Sequence, residues 1–317
     1  MLSPVYVRAI TCLTPAGFDV VSSPAGPMCS PPLAAPELPP SPGWPPAGWI
    51  NPVPRIEGTR LPRFGRLDRL AQLGLLVACK VVERAGGATL PEAEAAAGVA
   101  LGTHYGSHLT NELFWRSQRG PAGPSPALFA YTLPSAAAAE IAMHFGLTGP
   151  ALTVAGAADS GLAALAAAAG CIASGAASRM LVVAVDVLSP SLLSAREGEE
   201  EPLEEGAFCA WLDSRSENAL ARLVGVAQLS GADARKRCLA VALEQAGLRR
   251  ADLRVLLTRR SPGREVDRGW SGYSEPRGLG AAPLLAGAPA LRRGELPLLV
   301  VAEGASSATA LCCAPPS

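Results

Sequence analysis

Residues 149 to 165, GPALTVAGAADSGLAAL, run from a short segment with β-branched residues, through a turn of small residues, into an alanine-rich stretch. A strand that enters a helix through such a turn gathers backbone N–H groups around one position, where they can stabilise a thiolate or an oxyanion. Acyl-transfer chemistry uses this geometry to hold a nucleophile. Here the turn reads Gly156-Ala157-Ala158-Asp159-Ser160 and contains no cysteine. It is either a catalytic turn that has lost its nucleophile or a turn that never held one. Ser160 has no base in view, and its residue type suits capping of the helix that follows. Asp159 suits the same place because negative charge is favourable near a helix start.

The remaining reactive side chains form no second constellation. His104 and His108 stand four apart, which would put both imidazoles on one helix face and is also metal-ligand spacing. No carboxylate motif of the HExxH kind accompanies them, so they read as polar surface or loop histidines and no metal is expected. GTHYG (102–106) lacks the lysine and the spacing of a phosphate loop. The eight cysteines are dispersed without a CxxC pair, which argues against a zinc or redox motif and for buried free thiols in a cytoplasmic protein. Cys171 and Cys209 lie in apolar helix and strand segments and read as core.

These residues must be positioned by alternating strands and helices. VYVRAITCLTP (5–15) reads as a strand closed by Thr14-Pro15-Ala16-Gly17, and RLDRLAQLGLLVACKVVERAG (66–86) has apolar residues at helical spacing before Gly86-Gly87. AGVALGT (97–103) is a short buried strand, GSHLTNELFWRS (106–117) a helix, and GPAGPSP (120–126) a break. PSAAAAEIAMHFG (134–146) has a helix frame, proline at its start and glycine at its end. Strand ALTVA, the turn, helix 160–175 and strand RMLVVAVDV (179–187) follow. REGEEEPLEEG (196–206) reads as a solvated loop before strand AFCAWLD (207–213). The pattern then restarts with strand ALARLVGVAQL, helix DARKRCLAVALEQAGL and strand LRVLLT. A loosely structured region (259–294) and an apolar hairpin complete the chain. Residues 24 to 54 are dense in proline and read as an extended surface excursion, which Trp44 and Trp49 could pin to the body or to a partner. The alternation predicts α/β layers with buried sheets, in two related halves of which the second is shorter.

Composition removes several classes of function. With 27 basic and 27 acidic side chains in 317 residues, the formal charge is zero, and the arginine runs RKR (235–237) and RR are short and scattered. Neither nucleic acid nor an acidic membrane surface is an expected partner. The chain is 49% hydrophobic but 5% aromatic, so alanine, leucine and valine must fill the core. The opening residues lack a basic start followed by an apolar run, so no signal peptide is expected. The longest uncharged segment, between Asp159 and Arg179, is Ala/Gly/Ser-rich and reads as a buried helix rather than a membrane span, in a soluble protein.

The order of segments resembles the β-ketoacyl synthases, the condensing enzymes of fatty-acid and polyketide assembly. The resemblance runs through VRAITCLTPAG, RLDRLAQLGLLVACKVVERAG, GVALGTHYGSHLTNELF and FAYTLPSAAAAEIAMHFGLTGPALTV, then GLAALAAAAGCIASGAASRMLVVAVD and Glu205-Gly206-Ala207 ahead of a strand. It covers most of the first two thirds; later only an outline persists, in ARLVG, ADLRVLL and LGAAPLLAGAPALRRGELP. The resemblance implies a thiolase-like α-β-α-β-α fold of two related halves, residues 1–215 and a truncated 216–317. It also implies a catalytic thiol and two histidines. Aligned on Gly149-Pro150, the thiol position falls on Ala158, which offers no nucleophile. The histidine motifs would fall near Thr258-Arg259 and Glu275-Pro276-Arg277-Gly278, whereas His104, His108 and His144 all precede or lie before the turn.

The family's whole catalytic set is therefore missing, and no cofactor is implied. The chain is similar to chain-length factors, which pair with an active ketosynthase and shape a shared acyl pocket. In that family the dimer interface runs along the strand before the turn. The resemblance thus implies a heterodimer with a ketosynthase serving an acyl carrier protein, in a fatty-acid, aryl-polyene or polyketide pathway. Leu152, Thr153 and Val154 would belong to that interface. Phe114, Trp115, Phe129 and Tyr131 would line the interface or the acyl pocket, unless they pack the subunit's own core. Two other readings stay open: an enzyme with relocated chemistry, and an adaptor that docks carrier proteins without shaping a pocket.

Overall fold

The computed structural model describes residues 3–19, 63–86, 97–121, 123–195, 203–258, 282–303 and 306–316, together with 49, 50, 53, 54, 56 and 61. Strand β1 (Val5–Thr14) turns at Gly17 into the two-residue β2 (Gly17–Phe18). Helix α1 (Arg69–Arg84) begins where the Asp68 carboxylate accepts the Ala71 N–H at 2.9 Å, and it buries Leu70, Leu73, Val77 and Val81 along one face. Then come β3 (Ala97–Thr103), α2 (His108–Gln118), α3 (Pro126–Phe129), α4 (Ser135–Phe145) and β4 (Ala151–Ala155). The first part closes with α5 (Ser160–Ala173), β5 (Arg179–Asp186), α6 (Pro190–Ala195) and β6 (Gly206–Asp213). The second holds β7 (Ala221–Ser230), α7 (Ala234–Ala246), β8 (Val255–Thr258), α8 (Ala282–Arg292), β9 (Leu298–Glu303) and β10 (Ser307–Ala314).

The strands hydrogen-bond in the order β4-β3-β5-β6-β1-β7-β10-β9-β8, with β2 paired to β1. This order is mirrored about the β1–β7 junction, where Val5, Tyr6 and Val7 pair with Leu223, Arg222 and Ala221. β6 lies antiparallel to β1 as β10 does to β7, and β3 lies parallel to β5 as β8 does to β9. Among the described residues β4 has no counterpart in the second half. Among the described residues the second arrangement is thus one strand smaller than the first.

Three apolar clusters separate five layers. Leu76 and Val81 of α1 and Ile141 of α4 pack on Leu101, Val183 and Cys209. Leu162, Leu165 and Ile172 of α5, with Leu284 and Ala288 of α8, fill the middle between Val182 and Phe208 on one side and Val300 and Leu311 on the other. Cys238 and Ala242 of α7 cover Ala227, Leu299 and Ala310. The layers alternate helix, strand, helix, strand, helix. A helix pressed between two sheets has room for small side chains only, which accounts for the alanines of α5. β7 meets α7 just as closely, since a Cβ on Gly225 would run into the Ala242 carbonyl.

Several sequence expectations are corrected. The region 259–294 is not uniformly loose, because α8 lies within it and carries Pro289 inside the helix. The break at 120–126 ends in α3, whose Ser125 hydroxyl accepts the Leu128 N–H at 3.3 Å. Glu205 does not belong to a solvated loop. It is 1% exposed and accepts Arg69 Nε at 2.8 Å and the Ile50 N–H at 3.0 Å. Arg69 in turn stacks over the Trp49 ring at 3.5 Å, so Trp49 is pinned to the body. Trp44 and residues 20–48 lie outside the described residues. Six cysteines are buried and free, but Cys171 is partly exposed rather than core, and Cys29 lies outside the described residues. No helix among the described residues is long and apolar enough to cross a membrane.

Candidate functional site

The parallel strands β4, β3 and β5 end on one side of the sheet, where the segments that follow them converge. After Ala155 the chain turns at Gly156, whose φ of 135° is a conformation L side chains rarely adopt. The Gly156 N–H donates to the Thr103 carbonyl at 3.2 Å, and α5 starts at Ser160. The turn sits directly on β3, because a Cβ at Gly102 would collide with the Ser160 carbonyl and the Gly161 Cα. The sequence-derived strand–turn–helix is therefore present, with Ala158 half-buried in the turn.

Neither polar neighbour of Ala158 is free to act. Ser160 is 2% exposed, and its Oγ accepts the Ala157 N–H at 3.0 Å. It folds back onto the turn instead of capping a later helix N–H, which corrects the capping role expected from sequence. Asp159 occupies the cap position without a side-chain bond to the helix. Its buried Oδ2 accepts the Ser307 hydroxyl at 3.0 Å and the Thr309 hydroxyl at 3.1 Å, both from β10. Sequence reading missed these two hydroxyls, about 150 residues away, since no local pattern connects them to the turn.

The histidines do not share a helix face. His104 precedes α2 and stacks on Tyr105 with ring centroids 4.0 Å apart, while His108 opens α2. Asp186, at the end of β5, accepts the Thr103 hydroxyl at 2.9 Å and the His104 N–H at 2.7 Å, fixing the turn after β3. His108 Nδ1 lies 2.8 Å from the Ser189 hydroxyl, but Ser189 is wholly buried and accepts the Leu192 N–H at 3.2 Å. Among the described residues no group of three His, Cys, Asp or Glu side chains could hold a metal ion. Burial pushes the Cys79 and Cys313 thiols up to about 12 and Cys209 well above the ordinary thiol range, so these cysteines are poor nucleophiles. Thr258, at the first expected histidine position, ends β8; Arg259 and residues 275–278 lie outside the described residues.

Around the turn, β4 is an edge strand among the described residues, paired through Ala151–Ala155 with Val99–Thr103 of β3. Leu152 and Val154 pack partly against the middle layer, and Thr153 faces the other way, half-buried. The segment from α2 to α4 presents Trp115, Phe129, Leu133 and Met143, each more than 60% exposed. Phe114 is half-buried with its ring 5.5 Å from that of Phe129. Tyr131 is different, because it packs on the first core cluster and donates its hydroxyl to Glu140 Oε1 at 2.7 Å. Burial, then the Glu140 carboxylate, raises its pKa to about 12. Leu133 and Met143 were not singled out from sequence, since helical periodicity alone does not reveal which face lacks a neighbour.

Residues 51–198 match the family described as Beta-ketoacyl synthase, N-terminal domain. No curated protein matches the chain. Among solved structures, the chain is similar to the ishigamide ketosynthase/chain length factor, with 18% identity and a TM-score of 0.71 over 99% of this chain and 100% of that one. It is also similar to a β-ketoacyl synthase from Burkholderia phymatum STM815, with 16% identity and a TM-score of 0.69 over 99% and 100% of the two chains. A type II PKS acyl-carrier protein in complex with its ketosynthase bound to the hexaketide gives 15% identity and 0.71, again over 99% and 100%. These likenesses carry the fold, and the match over residues 51–198 carries the sequence. Residues 51–198 thus resemble the N-terminal domain of the β-ketoacyl synthases, and the chain as a whole shares the thiolase-like fold of the ketosynthases.

Proposed function

We propose that this chain is a non-catalytic β-ketoacyl synthase homologue of the chain-length-factor type, the partner of an active ketosynthase. The observation that carries this reading is Ala158, which stands where the family's acyl-accepting thiol would be and has no nucleophilic substitute beside it. Ser160 is buried and committed to the turn, and Ser189, the hydroxyl that meets His108, is buried and caps α6. Neither supports an enzyme with relocated chemistry.

The partner reading draws on the exposed surface beside the turn. An edge strand offers unpaired backbone groups to another strand, and β4 is short, with alanine, leucine, threonine and valine side chains. Phe129 and Trp115 supply apolar anchors of the kind that fill the centre of an interface. We read residues 1–215 and 216–317 as the two halves, with the heterodimer formed by the first. Substrates would be acyl chains borne on an acyl carrier protein, in polyketide, aryl-polyene or fatty-acid assembly. The test is co-expression with a ketosynthase encoded beside this chain. A stable one-to-one complex that condenses acyl and malonyl carrier thioesters supports the reading, and condensation by this chain alone sinks it.

A further inference from the structure

We propose that Asp159 is the resident anion of the β4–α5 turn, a fixed charge that makes position 158 hostile to any thiolate or oxyanion. The proposal rests on the reading of this turn as a ketosynthase site without its nucleophile. It adds that the site has been remade rather than merely emptied.

Asp159 is the residue next to Ala158, it opens a 14-residue helix, and it is 3% exposed. A helix start with an empty cap position favours an incoming negative charge and depresses the pKa of a thiol placed there. Here a negative charge is already installed. Its hydrogen-bond donors among the described residues are the Ser307 and Thr309 hydroxyls, which are neutral, so they hold the carboxylate without cancelling its charge. Those donors sit on β10, in the second half, so the charge is also fixed in space by the packing of one half on the other.

The field of this carboxylate reaches a thiol already present. Cys238 of α7 is pushed up by burial first, and the Asp159 charge adds to that effect. Position 158 is one residue from the carboxylate. Like charges on neighbouring residues, at an effective dielectric near 20, repel enough to raise a thiol by on the order of one pKa unit or more. That is enough to cancel the help the helix start would give.

The test uses the full chain without any partner, so its outcome does not depend on whether a ketosynthase binds. Ala158→Cys is made alone and combined with Asp159→Asn, and the rate of iodoacetamide alkylation at residue 158 is followed against pH by peptide mass. Asparagine keeps a carbonyl oxygen for both hydroxyls and removes only the charge. Should the asparagine variant lose its far-UV dichroism, Asp159→Ser replaces it in the same comparison. The expected result is a thiol pKa at or above about 8.5 in Ala158→Cys. In the double variant it falls by at least about one unit, with alkylation roughly tenfold faster at pH 7. A single variant already ionised near pH 7, or equal pKa values in the two proteins, overturns the proposal.

Discussion

Arg69 Nε of α1 donates to Glu205 Oε1 at 2.8 Å, and the carboxylate it meets is the one that receives the Ile50 and Leu188 N–H groups. One buried charge pair thus joins the first helix, the approach to β6 and the far end of the proline-rich segment, with Trp49 lying against the guanidinium. Burial pushes the Glu205 carboxyl up, and Arg69 and the two N–H groups act against that rise.

Removing one member leaves the other charge buried without its partner. Arg69→Ala is expected to lower unfolding stability by about 3–5 kcal/mol in urea denaturation. Trp49→Ala is expected to cost a comparable amount, about 3–5 kcal/mol. A loss under about 1 kcal/mol in both variants would mean that this corner does not hold the fold together.

Asp19 gives a pH dependence with a definite sign. Burial raises its pKa, but the Arg84 and Arg292 guanidiniums and the bonds from Cys12 N–H and Thr11 outweigh that, so the carboxyl stands below its usual range. A carboxyl depressed on folding contributes stability that is present above its unfolded pKa, about 3.9, and is lost as pH falls through the folded value. Asp19→Asn is therefore expected to be less stable than the parent at pH 6, with the difference shrinking below about pH 4. Urea midpoints measured from pH 6 to pH 3 check this, and a difference that grows on acidification would contradict it.

The tight seats of two glycines predict overpacking. Gly102→Ala drives a methyl group into the Ser160 carbonyl, and Gly225→Ala drives one into that of Ala242. Each is expected to destabilise by at least about 1–3 kcal/mol, because backbone cannot yield as a side chain does. Gly102→Ala also displaces the β4–α5 turn, so it is expected to weaken partner binding more than Gly225→Ala at equal loss of stability.

The proposed interface is tested by charge. Thr153→Lys on the edge strand and Phe129→Asp on the exposed apolar segment are expected to abolish co-purification with the ketosynthase and to leave far-UV circular dichroism nearly unchanged. An unpaired charge at a dry interface lowers affinity by orders of magnitude. Phe129 is 63% exposed and Thr153 half-buried in the free chain, so the dichroism control reads whether each variant stays folded. Retained binding in both variants would place the interface elsewhere.

The layered fold was legible because strands such as Val99–Thr103 and helices such as Arg69–Arg84 carry their periods in local sequence. The turn at 156–160 was legible for the same reason, since small residues between a strand and a helix constrain only their neighbours. What was hidden depends on distant pairing. Residues 259–294 read as loose throughout, although α8 within them carries Pro289 and packs Leu284 and Ala288 into the middle layer. Glu205 looked solvated among its acidic neighbours because its partner, Arg69, is 136 residues away. Asp159 looked like a helix-start charge until β10 brought Ser307 and Thr309 to it.

The central claim is tested most directly by native mass spectrometry of the chain co-purified with its ketosynthase and incubated with an acyl carrier thioester. The account predicts a one-to-one complex in which the acyl mass resides on the ketosynthase alone, because Ala158 offers no thiol. An acyl adduct on this chain, at Ser160 or any cysteine, would contradict it.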